Sequence, residues 1–418
     1  MIKFIGILLG LFFLLMLYIY YQKEKDFLEP KVLFLILEFI SYVPGMILFT
    51  SESSIEFTVA GCMKVMLFEL IYVFSALAGI NLSRKIFVAE KNKVYDIPLI
   101  NIIIFFAIGF GAKILVILKL GGLSFVIQNG QLAYLMQSHG YGIYTMFYKF
   151  MVVAILAMFE KFVIHKERRV YKVLLIVMIS LYALSFLIYT SRTPAFIVVL
   201  ITFFIYNFEI RRMNLSRVLN LRVILVVVLL VFLAYTATLS RTENSNKVSQ
   251  SMWEDLFYNY TNVGRDIKVY DYFSDHEKWL GKGYLNIIPS LIPGTKSKPS
   301  TDDGIYLVNI IRGNDIDINA NSDELPSQTG SVPFTTPGYM YANFGFVGVL
   351  LGGIIEGFLI GLSYKKMQKN KNAFNVATYF YMIYSFGLST GRMVPTMISI
   401  IFIWLFKKVI NIRVKVYR

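Results

Sequence analysis

Long apolar stretches alternate with short polar segments along most of the chain. A stretch of about 20 apolar residues crosses a bilayer as an α-helix, because lipid offers no partner to an unpaired backbone group. The pattern predicts about eleven such helices, at 2–21, 32–50, 59–80, 97–118, 142–164, 173–190, 194–210, 223–239, 337–362, 374–390 and 394–412. We therefore expect an all-α polytopic integral membrane protein.

One polar segment, 240–336, is far longer than the others and divides the chain. We expect eight membrane helices with short loops over 1–239, a large loop domain over 240–336, and three helices with a basic tail over 337–418. The loop holds half of the 26 acidic residues and many aromatic ones. Aromatic faces beside carboxylates suit carbohydrate, whose CH faces stack on rings. The alternative is an aromatic mini-core with solvated acids.

Composition supports the assignment to a membrane. Hydrophobic residues make up 56% of the chain and charged residues 16%, whereas a soluble domain carries about 25% charged residues. A soluble enzyme with a large core is therefore excluded. The single cysteine, Cys62, excludes an intrachain disulfide.

Lysine and arginine collect in every second loop, which is typical of cytoplasmic loops in membrane proteins. The basic loops are 22–31, 81–96, 165–172, 211–222, 363–373 and the tail from Lys407. This predicts an N-terminus outside, a cytoplasmic C-terminus and an extracytoplasmic 240–336 segment. The net charge of +15 then reflects orientation and contact with anionic lipids, and it does not indicate nucleic acid.

Six cations are predicted at one level, near the outer membrane surface. They are Lys64, Lys113, Lys149, Arg192, Arg241 and Arg392. Arginine suits lipid phosphates there because its planar fork donates two parallel hydrogen bonds. Snorkelling is the alternative for the lysines, and helix capping is the alternative for the arginines.

The loop 119–141 lacks charge after Lys119 and predicts an interfacial helix on the outer surface, with His139 near its end. His139 is a candidate base, and a structural hydrogen bond is the alternative. No second histidine lies close in sequence, so we expect no zinc site. Nucleotide-binding and dinucleotide-binding motifs are also missing, so we expect no cofactor.

Three stretches resemble a known family when they are taken in order. They are TSRTP at 190–194, GKGYLNIIPSLIPGTKSKP at 281–299 and TTPGYMYANFGFVGVLLGGIIEGFLIG at 335–361. Together with the number of spans and the single late external loop, they resemble the Wzy-type O-antigen and capsular polysaccharide polymerases, also called oligosaccharide repeat unit polymerases. The Arg-x10-Gly pattern of some members is absent, since position 203 is Phe and position 252 is Met.

The resemblance implies a metal-independent glycosyltransferase of the bacterial plasma membrane. Such an enzyme moves a glycan from undecaprenyl pyrophosphate onto a lipid-linked repeat unit, and it works beside a flippase and a chain-length regulator. Arg192 and Arg241 match the family's pyrophosphate-holding arginines by position, and Arg392 matches loosely. Tyr339 and Asn343 lie in the matching re-entry element and are expected to bind substrate.

The implied transfer needs a base that accepts the proton of the acceptor hydroxyl. The candidates are His139, Glu243, Asp266 and Asp302. Lys64, Lys113 and Lys149 are expected to steer the lipid pyrophosphates. A ligase that moves finished glycan to another acceptor shares this architecture and is one alternative. A flippase or other transporter is the second, although no internal repeat typical of transporters is visible.

Overall fold

The computed structural model describes most of the chain as helix. The described residues are 1–52, 55–89, 96–130, 132–133, 136, 141–188, 193–210, 261–286, 299, 303–321, 324–327, 331–387 and 393–411. The helices are α1 Ile2–Glu24, α2 Pro30–Leu48, α3 Val59–Ser83, α4 Leu99–Lys119, α5 Gly122–Gln128, α6 Gly142–Phe147, α7 Lys149–Ile164, α8 Arg169–Leu187, α9 Thr193–Ile205 followed by a π-helix Tyr206–Ile210, α10 Val263–Asp275, α11 Lys282–Leu285, α12 Gly304–Ile311, α13 Thr336–Lys369, α14 Ala373–Gly387 and α15 Met393–Ile410. Among these residues, the strands are β1 Ser51–Glu52 and β2 Ile55–Glu56, which form an antiparallel hairpin.

The helices confirm the helical membrane class. Described helices overlap ten of the eleven predicted spans, and the eighth, 223–239, falls on residues that the structure does not describe. Six of the described helices are long and apolar enough to cross a membrane: α1, α2, α3, α4, α8 and α13. Large apolar side chains such as Leu11 and Leu15 on α1 and Ile104 on α4 are exposed, as expected of surfaces that face lipid.

The chain divides into two compact units. The first comprises the described parts of Met1–Val88, Val248–Lys366 and Tyr381–Ile398, and the second those of Ala89–Lys247, Met367–Phe380 and Ser399–Arg418. The first unit therefore combines α1 to α3 with the described part of the predicted loop domain and most of α13.

Small residues let α3 and α13 approach closely inside the first unit. A Cβ at Gly79 would lie 2.1 Å from the Ile354 carbonyl oxygen, and one at Gly357 would lie 2.0 Å from the Ala76 carbonyl oxygen. Both obstacles are backbone atoms, which cannot move aside as a flexible side chain can. The helices therefore pack through glycine, as is common where helices associate in membranes.

α13 is broken at Gly345, whose φ of 62° and ψ of −147° are not helical. A Cβ at Gly348 would lie 2.3 Å from the Met340 carbonyl oxygen, whereas residues eight apart in a straight helix are separated by about 12 Å. Residues 336–344 therefore fold back on the rest of α13, and we call them the helical arm. The uninterrupted helix expected over 337–362 is in fact two helical pieces.

The second unit packs α7 against α4 and α8. Phe105 and Phe150 meet edge to face with ring centroids 5.1 Å apart, and the Lys161 ammonium pairs with Asp96 at 2.7 Å. The predicted fifth span, 142–164, is divided into α6 and α7 with Tyr148 between them. The predicted interfacial helix of 119–141 contains the short helix α5, and His139 lies beyond the described residues.

Candidate functional site

Helix α10 begins at a buried ion pair. The Glu52 carboxylate, carried by the β-hairpin, accepts hydrogen bonds from Arg265 Nε at 2.9 Å and from the Gly264 amide at 2.7 Å. A carboxylate is favoured at a helix N-terminus, where amide groups lack partners inside the helix. Burial raises the pKa of Glu52, and Arg265 and the amides oppose that rise. The pair attaches α10 to the loop between α2 and α3.

Asp266 follows on α10 and is 1% exposed. Its Oδ2 accepts a hydrogen bond of 2.7 Å from the Tyr42 hydroxyl of α2, and its Oδ1 accepts one from the Thr335 hydroxyl. Burial raises the pKa of Asp266 to about 7, and the bonds from Thr335 and Tyr42 oppose the rise. The predicted base thus has both oxygens engaged, and it joins α10 to α2 and to the start of the helical arm.

Further polar groups are buried beside Asp266. Both carboxyl oxygens of Glu69 on α3 and the hydroxyl of Tyr270 on α10 are buried without a hydrogen-bond partner among the described residues. Burial raises the pKa of Tyr270, and the carboxylates of Asp266 and Glu69 raise it further. The interface between α10 and the membrane helices is therefore polar, and its ionised carboxyl groups would repel one another.

An open cavity of about 370 Å³ lies at the other end of α10. Its volume falls within the range of about 300–1,000 Å³ that small-molecule sites occupy. It is lined by Tyr272, Phe273, His276, Glu277, Lys278, Trp279, Lys282, Asp315, Ile316, Asp317 and Ile318. All of these residues belong to the polar segment 240–336, and the cavity forms where the end of α10 and the following turn meet the loop 315–318.

The cavity combines aromatic faces with charged groups. The rings of Tyr272 and His276 stack with centroids 3.9 Å apart and planes 7° apart. His276 Nε2 lies 3.0 Å from Asp315 Oδ1, and its Nδ1 lies 2.8 Å from the Tyr272 carbonyl oxygen. Phe273 and Trp279 pack edge to face beneath. Flat rings beside carboxylates and ammonium groups can stack on sugar rings and hydrogen-bond sugar hydroxyls.

The two substrate-binding candidates of the helical arm lie beneath the rim of this cavity. Tyr339 is 2% exposed, and its ring contacts Trp279 and Tyr284. Asn343 is fully buried and donates through Nδ2 to the Tyr339 carbonyl oxygen at 2.9 Å. The Tyr339 hydroxyl and Asn343 Oδ1 face Gly283, and within the described part of the chain both lack a hydrogen-bond partner of regular geometry.

The backbone ties the cavity rim to the arm. The Trp279 amide donates to the Ala342 carbonyl oxygen at 3.0 Å, and the Leu280 amide donates to the Asn343 carbonyl oxygen at 2.8 Å. Sequence reasoning placed Tyr339 and Asn343 near substrate but missed His276 and Asp315. His276 is one of only three histidines, and its place beside Trp279 in an acidic, aromatic segment was the available signal.

The candidate lysines do not line the cavity. Lys64 pairs with Asp271 of α10 at 2.8 Å on an exposed surface. Lys113, in the second unit, is buried with its ammonium 4.2 Å from the Phe186 ring centroid and 4.5 Å from that of Tyr148. Lys149 begins α7 and is half-buried.

Six further candidates lie outside the described residues: Arg192, Arg241, Arg392, His139, Glu243 and Asp302. Their roles stay predictions. Within the part of the chain that the structure describes, no group of three or more His, Cys, Asp or Glu side chains could hold a metal ion.

Comparison of the chain with protein-family models, with curated proteins and with solved structures gives no match.

Proposed function

We propose that this protein is a repeat-unit polymerase of the bacterial plasma membrane. It transfers an undecaprenyl-pyrophosphate-linked glycan onto a lipid-linked oligosaccharide at the outer face. The observation that carries the proposal is the cavity at the end of α10, where Tyr272, His276, Trp279 and Asp315 combine ring faces with hydrogen-bonding groups. The cavity belongs to a unit that also contains α1, α2, α3 and most of α13, which are apolar enough to span a membrane.

The transfer joins an acceptor oxygen to the anomeric carbon of the donor glycan. The bond from that carbon to the diphosphate oxygen breaks, its electron pair leaves with the diphosphate, and a base takes the hydroxyl proton. Arg192 and Arg241, with Arg392, neutralise the departing diphosphate without a metal. One well-placed donor contributes about 3–4 kcal/mol to such a step.

The base is His139, Glu243 or Asp302 rather than Asp266, because both oxygens of Asp266 already accept hydrogen bonds from Tyr42 and Thr335. The lipid-linked substrate reaches the site through the membrane after a flippase delivers it. A chain-length regulator is the further expected partner.

Reconstitution tests the proposal directly. Purified protein in liposomes receives only lipid-linked repeat units, and the products are separated by length. A polymerase makes a ladder of products that differ by one repeat unit. Unchanged repeat units would refute the proposal, and transfer only after a different acceptor is added would identify a ligase. Movement of repeat units across the bilayer without elongation would identify a transporter.

Arginine substitutions test the chemistry in cells. We expect Arg192→Ala and Arg241→Ala to shorten the surface polymer at normal protein levels, because each removes a cation from the departing diphosphate. Arg169→Ala is the matched control, since Arg169 begins α8 within the predicted cytoplasmic loop 165–172. Full-length polymer from both test variants would end the arginine hypothesis.

A cavity substitution tests the proposed sugar site. Tyr272→Ala removes a ring from the cavity wall, so we expect a higher KM for the repeat unit with little change in thermal stability. Tyr18→Ala, at an exposed tyrosine of α1, is the matched control. An unchanged KM for Tyr272→Ala would place the sugar elsewhere.

A further inference from the structure

Two leucines break the polar character of the loop segment. Among the described residues of 261–335, Leu280 and Leu285 are the large apolar side chains that stay exposed, at 73% and 60%. Leu280 directly follows the cavity-lining Trp279, and Leu285 ends the short helix α11. Neighbouring exposed apolar side chains of this kind can form a contact surface for an apolar partner.

Leu280 is also held in an unusual backbone conformation. Its φ is 50°, and Lys25 is the other non-glycine residue with positive φ among the described residues. The left-handed region is costly for a residue with a branched side chain, and such strain concentrates at functional sites. Glycine would fit this position without strain, so the leucine side chain itself has a use.

The helical arm extends the same apolar surface. Phe344 and Phe346 flank the break at Gly345 and are 46% and 51% exposed. Phe344 packs beside the leucines, because a Cβ at Gly281 would lie 2.9 Å from Phe344 Cζ. We call Leu280, Leu285, Phe344 and Phe346 the apolar edge.

A cation of the cavity wall lies close in sequence to the apolar edge. Lys282 is exposed, lines the cavity, and is only two residues from Leu280, so their Cα atoms lie within about 7 Å. Lys278, also in the cavity wall, instead donates to the Phe273 carbonyl oxygen. Beneath the same turn lie the buried Tyr339 hydroxyl and Asn343 Oδ1.

We infer that the turn 278–285 and the adjoining arm form a seat for a glycolipid with an anionic linkage. The hydrocarbon chain lies on the apolar edge, the anionic group contacts Lys282, and the first sugar enters the cavity. The three surfaces adjoin one another within one short turn, as the three chemical parts of such a lipid do. Plain contact with the bilayer would use the apolar edge alone. The inference rests on the proposed function, which makes the ligand a polyprenyl diphosphate sugar.

A binding assay with purified full-length protein in phosphatidylcholine nanodiscs tests the seat. The probe is undecaprenyl diphosphate bearing one sugar, and Trp279 in the cavity wall gives a fluorescence signal. We expect Lys282→Gln to raise Kd about tenfold, because it removes one charge-assisted contact. We expect Leu280→Gly to raise Kd about fivefold, because leucine loses its apolar contact with the chain.

The controls separate binding from folding. Leu280→Gly relieves the positive φ, so its thermal stability is expected to equal or exceed that of the wild type. Lys25→Gly relieves the same strain at the end of α1 and should leave Kd unchanged. Lys268→Gln removes a lysine that does not line the cavity and should also leave Kd unchanged.

The outcomes distinguish failure of the proposed seat from failure of the polymerase proposal. Unchanged Kd in both test variants, with ladder synthesis intact, overturns the seat and leaves the polymerase proposal standing. If protein in phosphatidylglycerol nanodiscs without the probe gave the same fluorescence change, the seat would be overturned in favour of a general contact with anionic lipid. Failure of the wild type to bind the probe overturns both proposals. Weaker binding in the two test variants alone supports the seat.

Discussion

The substitution Asp266→Asn distinguishes a structural role of the Asp266 carboxyl group from a catalytic one. Asp266 is buried and accepts hydrogen bonds from Tyr42 and Thr335. Asp266→Asn keeps the size and one carbonyl acceptor but cannot ionise or take a proton from a substrate. We expect the variant to fold and to make polymer of normal length.

The size of the effect on stability follows from the pKa. Burial raises the pKa of Asp266 from its ordinary 3.8 to about 7. Three units at 1.36 kcal/mol each correspond to about 4 kcal/mol in favour of the neutral form. Because the pKa is higher in the folded state, folding is most favoured below about pH 4 and loses stability as pH rises to about 7. The loss is complete above pH 7.

The measurement is thermal unfolding in detergent at pH 4 and at pH 8, with size-exclusion chromatography used to monitor the folded fraction. The asparagine variant cannot ionise, so we expect it to match the wild type at pH 4 and to exceed it at pH 8. Asp266→Ala is the companion variant. It leaves the hydroxyls of Tyr42 and Thr335 without their acceptor, at a cost of about 1–3 kcal/mol each.

Two results would contradict the structural role expected of Asp266. If Asp266→Asn lost stability at pH 8 relative to the wild type, the carboxylate would be stabilising in its ionised form. If instead the variant kept its stability but elongated glycan about 10²–10⁴-fold more slowly, Asp266 would act as a general base. The second result would require a conformation in which Asp266 is reached from outside.

Three further predictions concern the contacts that hold the first unit together. We expect Gly357→Leu to destabilise the protein by more than about 3 kcal/mol, because its Cβ would meet the Ala76 carbonyl oxygen at 2.0 Å. The control Gly111→Leu has nothing within 4 Å of its Cβ and should keep a monodisperse elution peak. Elution profiles that do not differ between the two variants would contradict the packing argument. Glu52→Ala should cost about 3–5 kcal/mol in thermal unfolding, since it leaves a buried guanidinium unpaired; a loss below about 1 kcal/mol would mean that water reaches the pair. Lys64→Ala should change stability by less than about 1 kcal/mol, as an exposed ion pair does, and a larger loss of stability or polymer would assign Lys64 a role in the site.

The membrane helices could be predicted because their signal is local. Each apolar stretch carries its own reason to be helical in lipid, so described helices overlap ten predicted spans. The breaks at Tyr148 and Gly345 could not be predicted in the same way. Gly345 is one of many glycines in its span, and its fold-back depends on contact between Met340 and Gly348, which no local pattern records.

The candidate site depended on contacts between distant segments, so only its chemistry could be predicted. The mixture of aromatic and acidic residues in 240–336 indicated a carbohydrate site, and the cavity has that mixture. Its members come from two separate stretches, which meet through contacts such as that of His276 with Asp315. The burial of Asp266 could not be predicted either, because its partner Tyr42 lies 224 residues away in the sequence.

The polar character of the α10 interface has a consequence for how a substrate is held. Apolar contacts alone would let α10 slide along α2 and α3, because such contacts are not directional. The hydrogen bonds of Asp266 with Tyr42 and Thr335 fix its register. The cavity lies at the C-terminal end of α10. The apolar edge includes Phe344 of the helical arm, which begins directly after Thr335. Asp266 therefore holds the start of the arm on α10, the backbone bonds of Trp279 and Leu280 hold its end, and a ligand that spans the cavity and the apolar edge would gain from finding them already in place.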